Sequence, residues 1–236
     1  MTVWALHGFL GLPSDFDVLQ TQVSTEWKSV DYMHSRELSP STDFSKWGEH
    51  FNQMIPSGKN ILLGYSLGGR LALHAFNANP HLWKGLVLIS VNPGISSGEK
   101  AERLKNDQEW AECFLNENFQ WTTEKWNAQS VFQGSRHEPI RVEANYNRRQ
   151  LAEALNQWSI ARQEDFRPLL KSISVPTLYI SGEKDQKYRA IGQSLKLAQP
   201  SIRHAVIAGA GHRVMFDAPE EVAGEISNFL KKFSLN

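Results

Sequence analysis

Short apolar runs that alternate with helical patterns from end to end predict an α/β fold built on a parallel sheet. Three observations carry this expectation. The runs are apolar throughout, as suits strands buried on both faces. Stretches with helical periodicity separate them, as in βαβ units. And 41% of the 236 residues are hydrophobic, enough for a continuous core. We read six runs: Val3 to Leu6, Ser29 to Tyr32, Ile61 to Tyr65, Gly85 to Val91, Val175 to Ser181 and His204 to Ala208. The opening, MTVWALHGFLGLP, lacks a basic segment, and its apolar part is broken by His7 and Gly8. It reads as a strand and loop, not a signal peptide.

The last helix has the clearest ends. Asp217 is placed to cap it, Pro219 suits its first turn, and Glu220 and Glu221 favour the positive end of its dipole. Val222, Ile226, Phe229, Leu230 and Phe233 then recur at helical spacing, ahead of Lys231 and Lys232 at the negative end. From Pro93 to Arg167 the rhythm breaks. No strand run is present, and four of the eight Trp fall here: Trp110, Trp121, Trp126 and Trp158. Ala101, Leu104, Ala111, Phe114 and Leu115 fit one helical face. We expect residues 93–167 to be a helical lid inserted after the fourth strand, and residues 1–92 and 168–236 to form the core. A long insertion without strands is usually functional; a plain helical elaboration is the alternative.

Composition narrows the function. Lys and Arg number 25 and so do Asp and Glu, which argues against a general nucleic-acid binder or a polybasic membrane anchor. The single cysteine, Cys113, excludes an internal disulfide and a cysteine metal cluster. No apolar run approaches the roughly 18 residues that span a bilayer. A soluble cytoplasmic protein is expected.

The chemistry centres on Gly64-Tyr65-Ser66-Leu67-Gly68, a G-x-S-x-G between an apolar strand and a helical stretch. Strand, serine and helix in that order form a nucleophile elbow, whose strained turn needs small neighbours. A serine needs a base and an acid, following in the order Ser, Asp or Glu, His. The fifth run ends in Gly182-Glu183-Lys184-Asp185, and the sixth in Gly209-Ala210-Gly211-His212. The expected triad is therefore Ser66, Asp185 and His212, with Glu183 as the reserve acid. Leu6-His7-Gly8-Phe9 follows the first strand. The N–H groups of Phe9 and Leu67 would form an oxyanion hole, with His7 fixing the loop. Arg70 lies one helical turn beyond Ser66, where a cation opposes the helix dipole. It calls for an anion nearby, either a ligand or a lid carboxylate.

Together these parts resemble the α/β-hydrolase superfamily across nearly the whole chain. Only two residues precede Val3, so the sheet should be shortened to about six strands with helices on both faces. The usual Asp-x-x-Gly-His-Gly-x-Ser loop is replaced by Asp31-Tyr32-Met33-His34-Ser35-Arg36. Gly64 to Arg70, Asn92-Pro93-Gly94, Glu99 to Ala111, Lys125 to Phe132 and Gly182 to Tyr188 are similar to one branch, the 2-succinyl-6-hydroxy-2,4-cyclohexadiene-1-carboxylate (SHCHC) synthases of menaquinone biosynthesis. The resemblance implies a lyase that eliminates pyruvate from a polyanionic cyclohexene. It assigns substrate contacts to Tyr65, Arg70, Arg103 and Trp126. A third family arginine falls before Leu151, where the spacing points to Glu143; Arg141 lies two residues earlier and Arg148 five later, and Arg141 is taken as the candidate. Two rivals stand beside this reading: a carboxylesterase or thioesterase with the same triad, and a non-catalytic receptor on the same fold.

Overall fold

The computed structural model describes residues 1–234. Its centre is a six-stranded sheet, parallel throughout, in the order β2-β1-β3-β4-β5-β6. The strands are β1 (Thr2–Leu6), β2 (Glu26–Val30), β3 (Asn60–Tyr65), β4 (Trp83–Ile89), β5 (Thr177–Gly182) and β6 (Ile202–Ile207). The central runs become strands because both of their faces are covered: every residue of β3 and β5 is buried. The edge strand β2 has no buried residue, and it starts three residues before the apolar run at Ser29. Tyr32, counted in that run, lies beyond the strand and is buried under the site described below.

Successive side chains alternate between two apolar layers, as the pleat requires. Val3, Ala5, Ile61, Leu63, Val87, Ile89, Leu178 and Ile180 face one layer. It is covered by α1 (Asp17–Gln22) and α10 (Pro219–Ser234), with α9 (Val214–Asp217) beside them. Leu62, Leu86, Leu88 and Tyr179 face the other, which is covered by α2 (Phe44–Gln53), α3 (Leu67–Ala78), α7 (Arg167–Lys171) and α8 (Gln186–Ala198). In α10 the expected stripe is buried through Val222, Ile226, Phe229 and Leu230, each contributing on the order of 1.5–3 kcal/mol.

Asp217 does not cap α10. It ends α9, and its carboxylate accepts N–H groups from Gly211, Arg136 and His137 instead. Only one helix turn separates His212 from Pro219, so the acid is drawn back toward the histidine loop.

Between β4 and β5 the chain leaves the sheet and builds α4 (Ser97–Asn116), α5 (Phe119–Asn127) and α6 (Arg148–Gln157), among which no strand is found. The ends of this insertion meet: the Phe166 N–H donates to the Pro93 carbonyl at 2.8 Å. The buried face of α4 differs from the one read in the sequence. It runs through Asp107, Ala111 and Phe114, whereas Ala101 and Leu115 are exposed. A carboxylate within the true stripe hid it from an apolar pattern.

Topology positions the site. β1 pairs with both β2 and β3, and the helices after β1 and β3, α1 and α3, lie on opposite faces. A crevice opens at such a switch point, outside the carboxyl ends of the strands. His7-Gly8-Phe9 follows β1 there, and Ser66 follows β3.

Candidate active site

Ser66 sits between β3 and α3 with φ 50° and ψ −111°, backbone that a non-glycine residue adopts only under constraint. The constraint is close packing of the elbow. A Cβ at Gly68 would stand 2.1 Å from the Leu6 carbonyl oxygen, and one at Gly64 2.4 Å from the Gly69 Cα. Neither position tolerates a side chain. The Ser66 N–H donates to the Ile89 carbonyl at 2.9 Å, which ties the turn to β4.

The other two members of the expected triad converge on it. His212 Nε2 lies 3.3 Å from Ser66 Oγ, and His212 Nδ1 lies 2.7 Å from Asp185 Oδ2. With Nδ1 protonated and donating to the carboxylate, Nε2 is left to accept the serine proton. His212 and Asp185 are buried. The second carboxylate oxygen of Asp185 accepts the Tyr188 N–H at the start of α8, at 3.4 Å. Glu183 is exposed and accepts the Gly209 N–H at 2.8 Å, so it braces the histidine loop from outside.

Leu67 is the first residue of α3, so its N–H has no acceptor within the helix. Phe9 lies in the loop after β1, against the same pocket. His7 holds this loop: its Nδ1 lies 2.9 Å from the Gly8 carbonyl, and its ring stacks on Tyr32 at 4.2 Å. The Tyr32 hydroxyl donates to the His7 carbonyl at 2.6 Å. Burial pushes the His7 imidazole down to about 4, so it is neutral near pH 7.

The pocket over Ser66 has a volume of about 590 Å³. The core contributes Phe9, Leu67, Arg70 and His212, and the insertion contributes Arg103, Asp107, Trp126, Phe132 and Trp158. Arg70 and Arg103 thus face one space. Desolvation, and next the charge of Arg103, push the Arg70 guanidinium down to about 10. Arg70 donates to the Trp158 carbonyl at 2.7 Å, and no carboxylate pairs with it among the described residues. Arg103 gives only its Nε to the buried Asp107, 2.9 Å from each oxygen; its two Nη groups have no protein acceptor among the described residues. Asp107 also accepts the Ser159 hydroxyl at 2.7 Å.

Trp126 is in the pocket wall, 4.7 Å from the Phe9 ring. Tyr65 and Arg141 lie elsewhere. Both line a narrow second cavity of about 30 Å³, and Phe9, Trp126 and Phe132 line both spaces and so part them. Tyr65 packs against the loop after β1: a Cβ at Gly8 would be 2.9 Å from its ring. Arg141 spends both Nη groups on Asp15, at 2.8 Å each, and neither side chain is more than 11% exposed. Its fork is closed, so the structure does not bring it to Ser66.

Sequence reasoning missed Asp107 and Tyr188. The first was legible as the fourth residue after Arg103, the spacing of a helical ion pair. The Tyr188 ring lies 4.5 Å from the His212 ring and lines the pocket. Its place one turn into α8, after an Asp cap, was the available signal.

The elbow, the hydrogen-bonded row of Ser66, His212 and Asp185, and the switch-point crevice define an α/β architecture arranged around a strand–serine–helix turn. The model of the alpha/beta hydrolase fold family matches residues 16–219, and the chain belongs to that family. Among curated relatives, the SHCHC synthase of Yersinia pseudotuberculosis serotype O:3 (strain YPIII) is 29% identical, over 98% of this chain and 88% of its own length. Among solved structures, MenH from S. aureus superposes with a TM-score of 0.84 at 23% identity, covering 98% of this chain and 94% of that one. A thermophilic esterase from Thermogutta terrifontis superposes with a TM-score of 0.79 at 21% identity, covering 98% and 90%. These two structures share the fold. No helix among the described residues is long and apolar enough to cross a membrane.

Proposed function

We propose that the protein is a lyase of the SHCHC synthase type, which eliminates pyruvate from 2-succinyl-5-enolpyruvyl-6-hydroxy-3-cyclohexene-1-carboxylate in menaquinone biosynthesis. The observation that carries this reading is the pair Arg70 and Arg103 on one pocket with Ser66. Two guanidinium groups that disfavour each other, with no carboxylate in contact with Arg70 and the nearby Asp107 already held by Arg103, gain most from an anionic ligand. A neutral ester offers them nothing. The name and length of the Yersinia relative support the same choice.

In this reading Ser66 acts as a base. Its oxygen takes the ring proton α to the succinyl carbonyl while its own proton passes to His212 Nε2, and Asp185 stabilises the imidazolium. The electron pair moves onto the succinyl oxygen, which the Phe9 and Leu67 N–H groups hold as an enolate. Collapse of the dienolate breaks the ring carbon–oxygen bond, and the departing enolpyruvate takes up a proton to become pyruvate. Arg70 and Arg103 bind carboxylates of the substrate, and Trp126 packs on the ring. Residues 93–167 serve as a lid over a core of 1–92 and 168–236. The steps use only these side chains, in a soluble cytoplasmic enzyme that needs no metal or organic cofactor.

The same triad favours a second reading, an esterase or thioesterase, in which Ser66 attacks an acyl carbon. The two part on product: stoichiometric pyruvate from the cyclohexene supports the lyase, and ester turnover exceeding it supports the hydrolase.

A further inference from the structure

We propose that Asp217 is a positioning residue for His212, acting through a clamp that joins the histidine loop to the strap Gly134–His137 of the insertion. The inference rests on the triad reading of Ser66 and His212.

The Asp217 side chain is fully buried, and no Lys or Arg pairs with its carboxylate among the described residues. The nearest cationic candidate is the largely exposed His137, with Nδ1 at 3.6 Å. Three backbone N–H groups satisfy the carboxylate instead. Oδ2 accepts from Gly211 at 2.8 Å; Oδ1 accepts from Arg136 at 2.7 Å and His137 at 2.9 Å. Each oxygen therefore serves a different partner, the histidine loop on one side and the insertion on the other. On the far flank of His212, the Arg213 N–H donates to the Ser135 hydroxyl at 3.0 Å. Gly211 lies so close to the strap that a Cβ there would stand 2.4 Å from the Ser135 nitrogen.

Both neighbours of His212 are thus held by bonds that end on, or are shared with, the strap. An unpaired carboxylate in such a place is costly unless its acceptors are used. Its use here is geometric: it fixes the loop that aims Nε2 at Ser66. If the strap left, Arg213 would lose the Ser135 hydroxyl and Asp217 Oδ1 would lose both of its N–H donors, leaving the carboxylate that holds Gly211 half-satisfied; opening of the insertion is therefore least costly in its helices, with residues 134–137 in place.

Asp217→Asn separates the two oxygens. The amide is nearly isosteric but has one acceptor, so its NH₂ must face an N–H of Gly211 or those of Arg136 and His137. Labelling of Ser66 by a fluorophosphonate, with saturating rate and half-saturating concentration measured separately, reads the aim of His212 without any assumption about the substrate. Hydrogen exchange at Gly211, Arg136 and His137 reads the clamp. The expected result is a saturating rate lowered about ten- to a hundredfold, half-saturation within about twofold, and faster exchange at one or both ends. Ser135→Ala, which leaves the carboxylate network intact, should lower the rate by roughly three- to tenfold, and carries the test if Asp217→Asn fails to fold. A folded Asp217→Asn with the wild-type rate, or a loss lying wholly in half-saturation, would overturn the proposal, as would a wild-type rate in Ser135→Ala when Asp217→Asn does not fold. Wild-type protein that resists labelling would instead overturn the triad reading, and the clamp with it.

Discussion

The elbow and the insertion build opposite walls of one pocket by different means. The elbow is set by backbone: glycines that admit no Cβ, a serine at φ 50°, and strand ends that converge at the switch point. The insertion is set by side chains: Arg103 on Asp107, Trp126 on Phe9, Arg141 on Asp15. The first kind of order belongs to the fold and fits several chemistries; the second, through Arg103 and Trp126, is where the proposed function places the choice of ligand. Substitutions should therefore divide into those that abolish turnover of any substrate and those that discriminate between substrates.

The largest effects are expected at the proposed triad. Ser66→Ala and His212→Ala should each lower kcat by about a thousandfold or more for anionic and neutral substrates alike. Asp185→Ala should follow, with the fold intact by circular dichroism. Glu183→Ala should leave most activity, because Glu183 only braces Gly209. Crippled Glu183→Ala beside silent Asp185→Ala would reverse the two roles.

At the arginines the effect should depend on substrate. Arg70→Ala and Arg103→Ala each remove a charge-assisted bond of about 1.5–3 kcal/mol, or roughly ten- to a hundredfold in kcat/KM for a polyanion. Hydrolysis of a neutral p-nitrophenyl ester should change by less than about threefold. Lysine replacements should restore only part, since the fork is lost. Equal losses on both substrates would show that the arginines support structure only.

Arg141→Ala sharpens the contrast from the other side. It strands the buried Asp15 carboxylate and should cost on the order of 3 kcal/mol in denaturant unfolding, with kcat/KM for the polyanion within about threefold. A selective rise in KM would instead return Arg141 to the substrate.

The effect smallest at neutral pH concerns His7. Its folded value near 4 lies below the unfolded value near 6.5, so below pH 6.5 the unfolded state binds the proton first. The neutral ring's support of stability is complete above pH 6.5 and is lost as pH falls toward about 4, by up to roughly 3 kcal/mol. Urea unfolding at pH 7 and pH 4.5 should show this loss in wild type and less of it in His7→Asn.

Legibility in the sequence followed the same division. The six strands were readable because both faces of the central ones are buried, which leaves continuous apolar runs. β2 was displaced most, starting three residues before its run, since a half-covered edge has no continuous apolar run; the other strands shifted by two residues or fewer at either end. Ser66, Asp185 and His212, which the structure brings together, could be picked out as candidates because each lies in the loop or turn that follows a strand, a place that local pattern marks. Contacts made across the insertion could not. Nothing near Arg141 in the chain shows that Asp15, 126 residues away, closes its fork. Asp217 was misread for a related reason: a residue before Pro219 resembles a cap, and its true acceptor role depends on Arg136 and His137 arriving from the insertion.

The most direct test of the central claim is pyruvate release by wild-type protein from 2-succinyl-5-enolpyruvyl-6-hydroxy-3-cyclohexene-1-carboxylate, followed by coupled lactate dehydrogenase and compared with p-nitrophenyl acetate hydrolysis by the same preparation. The expected result is one pyruvate per cyclohexene consumed, at a kcat/KM at least about a hundredfold above that for the ester and abolished in Ser66→Ala. Ester hydrolysis that outpaces elimination, or pyruvate release that survives Ser66→Ala, would contradict it.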